Sequence, residues 1–112
     1  MDYQEVVFGI IVNSGDARSY AMDAIRKAKT GNMEEAKSSL EKSSEALGRS
    51  HDIQTKLIQE EANGNGQDLT LLMAHAQDHF MNALTVRDLA KEFIDLYETL
   101  EVIKVQVKKC VQ

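Results

Sequence analysis

The first strong signal along the chain is the run Val6-Val7-Phe8-Gly9-Ile10-Ile11-Val12. It is apolar nearly all round the helix it would form, so that helix is expected to bury this end against more than one neighbour. The same helix, read from about Tyr3 to Lys29, continues with Ala17, Ala21, Ala24 and Ala28 at spacings of four and three. Small residues in such a row allow another helix to approach closely. Gly15, on the same helix, reads as a point of close packing or a local bend. Thr30-Gly31-Asn32 punctuates, with Gly31 suited to a left-handed cap and Asn32 with Glu35 spaced as a capping box. A second helix follows to about Glu61. Its apolar row is thin: Met33, Ala36, Leu40, Leu47, Leu57 and Ile58. Lys37 with Glu41, and Glu45 with Arg49, sit at i,i+4 and read as a solvated face.

The segment Ala62-Asn63-Gly64-Asn65-Gly66-Gln67 is a hairpin connection, too short and too poor in Lys, Ser and Thr for a phosphate-cradling loop. Asp68 is the expected N-cap of a third helix reaching Lys104 or beyond. In it, Asn82, Val86, Leu89, Phe93, Leu96, Leu100, Ile103 and Val107 follow alternating steps of four and three, the spacing of a coiled-coil seam. Continued backwards, the row passes through Asp78, His75 and Leu71. A second row runs through Leu72, Ala76, His79, Ala83, Val86, Ala90, Phe93 and Tyr97. Two packing rows on one helix imply self-association, one row inside the subunit and the other between subunits. The expected architecture is all-α: a single domain over residues 1–112 forming an antiparallel three-helix bundle.

Composition narrows the function. The chain has 112 residues, no proline, few aromatics and a net charge of -5 with 28% charged residues. A nucleic-acid binder needs a basic face that this balance does not suggest. No apolar run has the length of a membrane span, and the opening MDYQEVV lacks the basic start of a secretory signal. The single Cys110 has no internal partner for a disulfide. These features point to a soluble, cytoplasmic protein.

The chemistry concentrates in Leu71-Leu72-Met73-Ala74-His75-Ala76-Gln77-Asp78-His79-Phe80-Met81, where apolar residues bracket two histidines, an aspartate and a glutamine. Three readings fit the residues. Polar groups on a seam fix register and oligomer number, and His51, isolated in sequence, caps or packs under the same reading. His75, Asp78 and His79 at i, i+3 and i+4 share a helix face and are reasonable zinc ligands. An imidazole, available in its neutral form near neutral pH, is also a nucleophile suited to relaying a phosphoryl group.

The motif His75-Ala76-Gln77-Asp78-His79 resembles the active-site motif of the lactose/cellobiose-type enzyme IIA family of the phosphoenolpyruvate-dependent sugar phosphotransferase system. Residues 11–19 (IVNSGDARS) and 51–58 (HDIQTKLI) are similar to the same family, in the same order. The resemblance implies a homotrimer of three-helix subunits. It implies that His75 accepts a phosphoryl group from the carrier protein HPr and hands it to a cysteine of the cognate IIB protein. A disaccharide, of cellobiose/chitobiose or lactose type, is then phosphorylated as the membrane component IIC imports it. On the same resemblance Gln77 and His79 neighbour the phosphoryl site. Asp78 points to the threefold axis and binds a divalent cation such as Mg2+. The residue reading by itself leaves one alternative of another class, a helical assembly protein with a buried polar layer and no chemistry. The tail from Val105 to Gln112 carries no family motif.

Overall fold

The computed structural model describes residues 2–111 as three helices, α1 (Tyr3–Lys29), α2 (Met33–Ala62) and α3 (Leu71–Val111). Among the described residues there is no strand. The chain runs up, down and up. At one end the Tyr3 hydroxyl donates to the Asp68 carbonyl oxygen at 3.2 Å, and at the other Gly31 lies beside Glu101. α1 and α3 are therefore parallel, and α2 returns antiparallel between their levels. α1 packs on both partners, and the α2–α3 contact is the thinnest of the three.

Both helix ends that meet a turn close by the same device. Gly31 and Gly64 each adopt φ 87, the left-handed conformation that an L side chain resists. The amide of Asn32 then reaches back to the Lys27 carbonyl at 2.9 Å, and that of Asn65 to Glu60 at 2.8 Å. These bonds satisfy carbonyls that the helix end leaves free. The expected capping box at Asn32 does not form: its side chain makes no cap bond and turns to the Thr30 hydroxyl instead. The Asp68 cap is also displaced. α3 begins later, and Thr70 Oγ1 accepts from the Met73 amide at 3.1 Å. Asp2 caps α1 by accepting from the Gln4 amide.

The core is built from small residues. Ala17, Ala21, Ala24 and Ala28 of α1 are buried, as their spacing predicts. What the thin apolar row of α2 conceals is that Ser39, Ser43 and Ser50 fill the same seam as Ala36 and Ala46. Buried hydroxyls need partners, and these have them. Ser43 Oγ donates to the Ala17 carbonyl at 2.6 Å and Ser50 Oγ to that of Ile10 at 3.1 Å. Ser14 and Ser50 hydroxyls lie 2.9 Å apart. Ser39 donates to Asp23 and accepts from Lys27. Hydrogen bonds from Lys27 and Ser39 hold the Asp23 carboxyl below the usual carboxylate range.

The i,i+4 pairs expected on α2 do not form. Lys37 crosses to Glu98 of α3 at 2.9 Å, and Arg49 donates to Asn13 of α1. Gly15 is no point of close packing inside the subunit, since an added Cβ there meets nothing within 4 Å. The tight glycine is Gly9, whose added Cβ would come within 3.0 Å of Ile53 Cδ1.

The rows of α3 sort themselves. Met73, Ala76, Phe80, Ala83, Ala90 and Ile94 are buried against α1 and α2. The coiled-coil row faces away, with Leu89, Phe93, Leu96, Leu100, Ile103 and Val107 between 39% and 56% exposed. The polar knot therefore does not lie on the side that packs within the subunit. The apolar run of α1 is divided likewise: Val6, Val7 and Ile10 are buried, whereas Phe8 and Val12 are 52% and 58% exposed. The molecule carries a well-packed interior and a second apolar face with no partner in the chain.

Candidate active site

The first turns of α3 carry the site. Thr70 caps the helix, Met73, Ala76 and Phe80 anchor one side of it in the core, and this orientation fixes where the intervening residues point. His75 is exposed and His79, one turn later, half-buried. Their Nε2 atoms lie 3.0 Å apart, with ring centroids separated by 4.4 Å and planes at 87°. Residues at i and i+4 are neighbours on a helix surface, so the pairing follows directly from the spacing. One ring nitrogen must donate and the other accept, which places a single proton between the two rings.

Gln77 is not brought to this pair within the subunit. Positions i and i+2 diverge around a helix, and the Gln77 amide donates to Met73 Sδ at 3.4 Å. It lines a groove of about 750 Å³ at the open end of the bundle, with Tyr3, Gln54, Leu57 and Asp68 among its walls. Asp78 is exposed on the same outward row as His75 and Asn82. Among the described residues no group of three or more His, Cys, Asp or Glu side chains could hold a metal ion. One subunit thus gathers no zinc site from His75, Asp78 and His79. The carboxylate of Asp78 suits a hard cation by its chemistry, and fellow ligands would have to come from other copies of the chain. His51 packs rather than caps, its ring centroid 6.3 Å from that of Phe80.

The arrangement offers an exposed imidazole nucleophile with a second imidazole at hydrogen-bonding distance, on a rigid helix and beside an open apolar face. No helix of the described residues is long and apolar enough to cross a membrane. Residues 5–98 match the family model of the PTS system, lactose/cellobiose specific IIA subunit. The chain is 50% identical over 99 residues to the lichenan-specific phosphotransferase enzyme IIA component of Bacillus subtilis, covering 88% of this chain and 90% of that one. It is similar to the crystal structure of the PTS cellobiose-specific enzyme IIA from Bacillus anthracis, with a TM-score of 0.87, 50% identity and coverage of 91% and 94%. It is also similar to the IIA(chitobiose) chain solved in complex with HPr from Escherichia coli, at a TM-score of 0.78, 40% identity and coverage of 90% and 98%. With its three helices and its paired histidines, this chain belongs to the lactose/cellobiose-specific enzyme IIA family, the phosphotransferase components of the sugar phosphotransferase system.

Proposed function

We propose that His75 is the phosphoryl acceptor, taking the group from phosphohistidine on HPr and passing it to a cysteine of the cognate IIB protein. The observation that carries this reading is the exposed His75 imidazole with its Nε2 3.0 Å from that of His79. When His79 is the donor, His75 Nε2 keeps a lone pair. In the transfer that lone pair forms the new N–P bond as the donor's N–P bond breaks, and the electron pair returns to the donor imidazole. The His79 N–H, released from the lone pair, then turns to a phosphoryl oxygen. In the second transfer the partner thiolate forms the S–P bond and His75 leaves as a neutral imidazole, a good leaving group.

The working form is a cytoplasmic homotrimer, with the membrane reached only through IIC. Phe8, Val12 and the outward row of α3 form an apolar surface too extensive to leave in water, and a second and third copy cover it. Asp78 lies on that row. Three copies around one axis would gather three carboxylates, and one divalent cation, Mg2+ by carboxylate chemistry, would neutralise them. The transported sugar is a β-linked disaccharide of cellobiose type, in line with the lichenan- and cellobiose-specific relatives. Gln77 contributes near the phosphoryl group only if the bound partner or a neighbouring copy draws it from Met73.

Incubation with phosphoenolpyruvate, enzyme I and HPr, followed by intact mass, tests the assignment. One acid-labile phosphate is expected on the native chain and on His51→Ala, and none on His75→Ala. Acid-stable phosphate, or labelling of His75→Ala, overturns it.

A further inference from the structure

α3 outruns the rest of the bundle. The α1–α2 turn ends level with Glu101, where Gly31 abuts its side chain. From there to Val111 every residue of α3 is exposed, so about 15 Å of helix stands clear of its own subunit. The family match stops at residue 98 and assigns this segment nothing. Yet its outward row continues the seam of the bundle without a break. Leu100, Ile103, Val107 and Cys110 follow in steps of three, four and three. In heptad terms Leu100 and Val107 occupy a, and Ile103 and Cys110 occupy d.

We propose that residues 99–111 of three copies wind into a parallel, in-register coiled-coil stem, bringing the Cys110 side chains together in its last layer. This rests on the homotrimer reading above and extends it to a segment outside the family match. Three observations select another copy as the occupant of this face. The row is continuous with the unpartnered face of α3, and neither α1 nor α2 reaches it. Leu at a followed by Ile at d favours three or four strands over two. The flanking charges fit only one orientation. At the e and g positions, Thr99, Gln106 and Val111 are uncharged and Lys104 is the single charge. Parallel pairing sets Lys104 opposite Thr99 of the next copy, whereas antiparallel pairing sets Lys104 against Lys104. Glu101, Lys108 and Lys109 fall on the outside of the stem.

The full-length protein tests this through the positions at which cysteines can be joined. In the presence of diamide, two thiols give up two electrons and two protons to the oxidant and form one S–S bond. The native chain is expected to yield a covalent dimer and a remaining free monomer, since a trimer with one thiol per copy closes one bond. Cys110→Ser should yield none. On that background, Val107→Cys, at an a position, should crosslink at least tenfold faster than Val105→Cys or Lys109→Cys, which point outward. Sedimentation accompanies each sample. Equal rates at all positions, or a trimer that never crosslinks at Cys110, overturns the stem and leaves the trimer standing. A monomer removes both. Pelleting of the chain with phosphatidylglycerol vesicles, with loss of crosslinking, would assign Lys104, Lys108 and Lys109 to a lipid surface and overturn the stem as well.

Discussion

At the scale of single residues, the His75–His79 pair sets what the site can do. A charge-assisted hydrogen bond contributes about 1.5–3 kcal/mol. If His79 makes that bond to the phosphoryl group mainly in the transition state, His79→Ala slows transfer roughly 10- to 150-fold. His75 remains, so the modified mass still appears at long times. Rapid-quench transfer from phospho-HPr measures this, and unchanged rates would assign His79 to packing alone. A second residue-scale outcome concerns Ser14 and Ser50, whose hydroxyls lie 2.9 Å apart in the core. Ser50→Ala strands the buried Ser14 hydroxyl at a cost of about 1–3 kcal/mol. The Ser14→Ala/Ser50→Ala double variant, which removes both groups, should cost less than the sum of the single changes. Urea unfolding of the four proteins reads the difference, and strict additivity would show that the pair is uncoupled.

Between elements, the two open glycines separate packing inside the subunit from packing outside it. Neither Gly15 nor Gly48 has an atom within 4 Å of an added Cβ. Alanine is better than glycine in a helix interior by about 0.8–1.0 kcal/mol. Gly48→Ala on α2 should gain that amount and leave assembly untouched. Gly15 lies on α1 one turn beyond Val12, at the edge of the unpartnered face. There a methyl group gains helix stability and meets the neighbouring copy. Gly15→Ala is therefore expected to weaken the trimer while Gly48→Ala does not, read by sedimentation over a dilution series. Equal behaviour would place Gly15 outside the interface. The motif around it, Ile11 to Ser19, is legible in sequence as a family signature. Its function as a boundary between interior and exterior is not, because an open side is open only once the other helices are in place.

For the whole molecule, the cost of gathering three Asp78 carboxylates decides the assembly's dependence on metal. Two such charges 4 Å apart at an effective dielectric near 20 repel by about 4 kcal/mol, and three pairs by about 12 kcal/mol. That upper figure approaches the stability of a domain, so a trimer must compensate it. A divalent cation does so without protonation. Chelation should lower the melting temperature of the native trimer, magnesium should restore it, and Asp78→Asn should be indifferent to both. Thermal unfolding with sedimentation checks this. Equal sensitivity of both proteins would remove Asp78 as an axial ligand.

The sequence alone determined the three helices, their glycine stops and the i,i+4 pairing of His75 with His79, because these are local consequences of helical period and backbone sterics. It also determined that α3 has more packing surface than one subunit needs. Tertiary structure decided which surface is used where. Hydrophobic attraction has no direction, so a periodic row announces burial without naming what buries it. The heptad row of α3 turned outward because Met73, Ala76, Phe80 and Ala83 fit the small-residue seams of α1 and α2 more closely. Three buried serines escaped the pattern for a related reason. Serine reads as polar along a chain, and only a neighbouring helix could supply the Ile10 and Ala17 carbonyls and the Asp23 carboxylate that satisfy their hydroxyls. The i,i+2 spacing of Gln77 from His75 was visible from the start. The Met73 sulfur it turned to became its partner only when α3 was capped at Thr70 and set against the core.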